Sequence, residues 1–193
     1  MKTLLFKPFE KYSEQKLLIT GILGAIIGTL LTYILKCKFI GVLKMTFVND
    51  ISISKSSLDS VIIISCLTLF LFLAAKYIYK KTRLIDIIVT TLVAYIPLYI
   101  LPIFNINDTI KIATENILKY SSPELASQMP LESITPLALF GLFTLLILIW
   151  FIALLYNGFK TASNAKGIKA MVIFGIALLL ADVLSRIIIQ NIN

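Results

Sequence analysis

Five long apolar stretches, each bounded by charged or turn-forming residues, dominate the chain: 17–35, 58–79, 84–104, 136–156 and 168–190. Each approaches or exceeds the roughly 20 residues that a helix needs to cross a hydrocarbon layer ~30 Å thick. Helices on the surface of soluble domains keep a polar stripe toward water, and none is legible here. The pattern predicts an all-α, polytopic membrane protein: one membrane domain, 1–193, folded as a five-transmembrane-helix bundle with short amphipathic surface helices.

Local signals refine this outline. Met1 to Lys16 mixes Phe6, Phe9 and Tyr12 with lysines at roughly helical spacing, which suits either a short helix lying among lipid headgroups or a plain polar tail. In the first span Gly24 and Gly28 stand four apart with Thr32 continuing the row, a surface on which two helix backbones approach closely, within one molecule or between two copies. The segment Cys37 to Ser57 is half apolar and is expected to lie on the membrane surface, and the capping-box spacing of Ser56 and Asp59 marks the start of the second helix. Pro97 and Pro102 predict a kink or an early end in the third span.

The extracytoplasmic loop 105–135 is too long for a bare connection. Ile106, Ile110, Ala113 and Ile117 predict a short amphipathic helix there, capped by Asp108, and Ser122-Pro123 predicts the start of another. Both are expected on the outer leaflet. Thr135-Pro136 has the same cap-then-proline form at the fourth span, while Trp150 and Tyr156 suit the interface at its other end. The fifth span carries an intramembrane polar pair, Asp182 and Arg186, one helical turn apart beside the small residues Ala177, Ala181 and Ser185. Charge inside a span is costly and marks either packing glue or a polar path.

Composition agrees with the hydropathy pattern: 59% of residues are hydrophobic, 15% are charged, and mean hydropathy is +0.95. Charge adds a direction. Assigning the loops to alternate sides puts eleven basic and three acidic residues with the amino terminus, hence the whole net charge of +8, and seven of each sign opposite. Lysine and arginine accumulate on cytoplasmic loops, so the amino terminus is expected inside and the carboxyl terminus outside. The basic face is expected to attract anionic lipids. Its lysines are scattered without aromatic platforms, which argues against nucleic acid. The polar residues before the first span and the lack of a small-x-small site predict that this span is retained rather than cleaved. Two cysteines, Cys37 and Cys66, define no disulfide framework.

Candidate chemistry is sparse. With no histidine, the commonest general base and zinc ligand are missing. Cys66 has no evident activating partner, no phosphate-cradling glycine loop follows a strand, and no carboxylates pair inside the membrane. The expectation is a non-enzyme with no catalytic residue, cofactor or metal site. Five spans and no convincing internal repeat also weaken a transporter reading.

Three stretches carry a family resemblance: Lys16-Leu17-Leu18-Ile19-Thr20-Gly21 with the following glycines, Asp86 through Pro97, and Trp150 through Ala170. With the five-span layout, the chain resembles the YIP family, the Ypt/Rab-interacting-protein-like membrane proteins. The long acidic amino-terminal domain and the Asp-Leu-Tyr-Gly-Pro-like motif of the eukaryotic branch are absent, so the resemblance implies a compact bacterial-type member of the inner membrane rather than a eukaryotic endomembrane protein. It implies a scaffold that shapes the bilayer or binds a membrane-protein partner or a second copy of itself. The competing expectation is a small permease or channel subunit with a polar path at Asp182 and Arg186.

Overall fold

The computed structural model describes residues 7–120 and 131–192, with side chains from 134 onward in the second stretch. A 3₁₀ turn, Pro8–Glu10, leads into α1 (Glu14–Ile34), and a hairpin of β1 (Cys37–Phe39) and β2 (Met45–Phe47) follows. Next come α2 (Ile53–Ile78), α3 (Leu84–Tyr95), a 3₁₀ segment (Ile96–Asp108), and α4 (Thr109–Lys119). Two long helices, α5 (Leu131–Ser163) and α6 (Gly167–Ile192), complete the described chain. Among the described residues five helical stretches are long and apolar enough to cross a membrane, the third running from α3 into α4.

The third span forms the centre of the bundle: α1 packs along one side of it and α5 along another, while α6 packs chiefly on α2. The close approach of α1 depends on glycine. A side-chain carbon at Gly21 would lie 2.7 Å from Leu92 Cβ, one at Gly24 would lie 2.6 Å from Ile96, and one at Gly28 would fall inside the Tyr99 ring. The Gly24 and Gly28 face is thus used within one molecule. Ala177, Ala181 and Ser185 are likewise buried on α6.

Pro97 and Pro102 act differently from a simple kink. Just before Pro97 the α-helix tightens into 3₁₀ geometry, which continues through Pro102. The helical path breaks later, at Asn105, Ile106 and Asn107, where Asn107 has φ 58°. A 3₁₀ run this long is unusual. Here it carries the chain to Asn105, whose buried amide donates to Leu35 O (3.0 Å) and accepts from Lys111 N–H (3.1 Å). Asn105 therefore satisfies one free N–H of the first turn of α4. Asp108 stands at the start of α4 as expected but does not cap it; its carboxylate meets Lys36 at 3.5 Å.

Three other boundaries differ from expectation. Helix α2 begins at Ile53, with Ser52 accepting from Lys55 N–H, so Ser56 and Asp59 lie inside the helix. Thr135-Pro136 lies within α5, which starts at Leu131. Residues 8–10 form one 3₁₀ turn that folds back on the bundle, with Pro8 buried and Phe9 and Tyr12 packed against Leu17, Val89 and Val93. An aromatic side chain finds more apolar surface there than a headgroup layer offers. Met1 to Phe6 and the predicted start at Ser122-Pro123 lie outside the described residues.

Candidate functional site

The apolar segment after α1 does not spread over a membrane surface; it folds into the bundle as a hairpin. Cys37 pairs with Phe47, Lys38 with Thr46 and Phe39 with Met45, and the turn closes with Ile40 N–H donating to Lys44 O (2.9 Å). Phe39 and Val42 are buried, and the Phe39 ring stands edge-on to Tyr95 and Tyr99 at 5.5 and 5.9 Å. Apolar side chains explain why the hairpin enters. They do not explain how its backbone tolerates the interior, where an unmatched N–H or C=O is expensive.

Side chains from distant spans provide that match. Leu43 N–H donates to Asp182 Oδ1 (2.9 Å), and Val42 C=O accepts from Tyr95 Oη (3.3 Å). Asp182 stands fifteen residues into α6, roughly 22 Å of helical rise from Gly167. Its other oxygen meets Arg186 Nη2 at 2.6 Å, with the carboxylate side chain 7% exposed and the guanidinium side chain 39% exposed. Gly41 makes room for this pair: a side-chain carbon there would come within 2.8 Å of Asp182 Oδ1 and 2.7 Å of Arg186 Cγ. The expected intramembrane pair therefore forms, and its additional partner is backbone.

A second carboxylate holds the base of the hairpin. Asp59 on α2 is buried, and Lys38 of β1 approaches it at 4.0 Å. Around them runs a ladder of hydroxyls joining α1 to α2. Thr32 and Ser56 share a 2.6 Å hydrogen bond, Thr29 donates to Ser60 (3.0 Å), and Ser56 donates to Thr29 O (3.2 Å). Thr32, Cys37, Lys38, Phe39, Ile51, Ser56 and Ser60 close around Asp59 and leave no room for a water-sized molecule. Burial there pushes the Cys37 thiol up to about 12, with the Asp108 charge adding to the effect.

The sequence signalled Asp182 and Arg186 through their spacing. It misplaced Asp59, because Ser-x-x-Asp before an apolar run has the form of a helix start. Asp86 and Arg83 form another pair, at 2.6 Å, at the opposite end of the bundle and in the open, where Glu14 also joins Arg83. Pro97 and Pro102 contribute by shaping the third span, and none of the glycines touches the polar centre except Gly41. Among the described residues no group of three metal-ligating side chains forms. What the arrangement does chemically is to hold a non-helical segment inside a helical bundle with two carboxylates. No family model, curated protein or solved structure matches this chain.

Proposed function

We propose that this chain is a non-catalytic scaffold of the bacterial inner membrane, with its basic amino-terminal face in the cytoplasm, acting by organising lipid or a membrane-protein partner. The family resemblance implies the same role. One observation carries the reading: among the described residues the carboxylates buried in the spans, Asp59 and Asp182, are engaged in holding the hairpin, and the packing around Asp59 leaves no room for a substrate path. Purified protein in liposomes is expected to pass no ion or small solute faster than empty vesicles. Flux that disappears in a folded Asp182→Asn variant would sink the proposal. Sidedness has its own test. A membrane-impermeant maleimide applied to spheroplasts is expected to label Lys111→Cys and to spare Lys80→Cys.

A second reading, the small permease, draws on the buried polar positions that lead inward from the hairpin. Beyond Asp59 and Asp182, Thr68 and Thr91 share a buried 2.8 Å hydrogen bond between α2 and α3. Displacement of the hairpin would open the upper part of such a path, and the same flux measurement decides between the two.

A further inference from the structure

One concavity of the bundle lies remote from the hairpin. It is a lateral groove of about 590 Å³, within the range of small-molecule sites. Its floor is Val93, Ile96 and Pro97 of the third span, with Ile19 and Thr20 of α1 on one wall and Trp150 and Leu154 of α5 on the other. Pro8 and Tyr12 of the folded-back amino-terminal segment close the end at the basic face, where Lys16 also lines it. The groove is thus apolar along its length and cationic at one end.

The charge at that end is uncommitted. All three acidic residues of this face have partners already: Glu10 meets Lys7 at 3.4 Å, and Glu14 and Asp86 both hold Arg83. Lys16 forms no ion pair among the described residues, and Lys11 lies over the Tyr12 ring at 6.0 Å. A lysine stem can run along apolar surface while its ammonium stays at headgroup level. Its partner there would be an anion attached to a long apolar group.

We propose that this groove is a binding site for one anionic phospholipid, an acyl chain lying between α1 and α5 and the phosphodiester held by Lys16 and Lys11. The assignment rests on the reading of the basic face as a lipid-facing surface, but it does not depend on which side of the membrane that face occupies. An ordinary boundary lipid has no fixed partner. This one is flanked by three helices and by Tyr12.

The test is lipid retention by the full-length protein, released from nanodiscs of equal phosphatidylglycerol and phosphatidylethanolamine and weighed by native mass spectrometry. Wild-type protein is expected to keep one phosphatidylglycerol in preference to phosphatidylethanolamine. Lys16→Gln should reduce that retention about fivefold without changing phosphatidylethanolamine. Thr20→Trp, which fills the groove from an exposed position, should remove both lipids, whereas Ile176→Trp on the exposed face of α6 should remove neither. If Thr20→Trp does not fold, Ile19→Trp takes its place. Equal retention of the two lipids by wild type, full retention in the groove-filled variant, or displacement by free glycerophosphoglycerol would each overturn the site. Sidedness and flux are read in other experiments, so the failure of the scaffold reading would be distinguishable.

Discussion

The two ends of the bundle carry nearly the same ion pair in opposite surroundings. At the basic face Arg83 grips Glu14 and Asp86, with side chains 61%, 41% and 27% exposed. At the hairpin face Arg186 grips Asp182 at the same 2.6 Å, but the carboxylate is buried and also holds a backbone N–H. Distance alone would rank them equal. Water ranks them differently, because exposed pairs exchange one polar environment for another, while removing one member of a buried pair strands the other.

The sharpest way to break that contrast is Asp182→Ala, expected to destabilise the bundle by about 3–5 kcal/mol, as read by reversible unfolding in bicelles. Asp182→Asn retains an acceptor for Leu43 N–H and should fall short of that loss. Gly28→Val comes next. Its side chain enters the space of the Tyr99 ring, and overpacking of this kind destabilises by about 1–3 kcal/mol. Tyr95→Phe removes only the hydroxyl that serves Val42 C=O, leaving that buried acceptor unmatched, and should lower stability by about 1–3 kcal/mol.

Cys37 reports on the same contrast without unfolding the protein. Its thiol is buried and pushed up to about 12, so in a Cys66→Ala background it should resist maleimide at neutral pH. Asp182→Asn and Tyr95→Phe should speed its labelling by loosening the hairpin. The raised value also sets a sign. Between the ordinary value of 9.0 and about 12 the unfolded chain loses a proton that the folded chain keeps, so this contribution to stability is present below 9.0 and declines as pH rises. Arg83→Gln should produce the smallest effect, no measurable change in the unfolding midpoint; a large one would show that the open pair is not merely a surface contact.

The spans were legible because hydropathy reports directly on transfer to lipid, and Asp182 with Arg186 because helical spacing places them on one face. The hairpin was not. Phe39, Val42 and Leu43 signal burial, but an apolar loop reads the same whether lipid or protein covers it, and its partners lie up to 139 residues away. Asp59 and Ser56 were hidden by a pattern that also occurs at helix starts, one turn later than the start that Ser52 provides. Asn105 was hidden because an isolated asparagine after a proline-bearing span has no periodicity to read.

The bond between Leu43 and Asp182 has a consequence for the order of assembly. Residue 43 leaves the ribosome well before its acceptor, which stands 139 residues further along the chain in α6. Until α6 arrives, that amide has no carboxylate to meet and water remains its best partner. Seating of the hairpin is therefore tied to the arrival of α6, which makes its docking a report on whether these two distant parts of the chain have met.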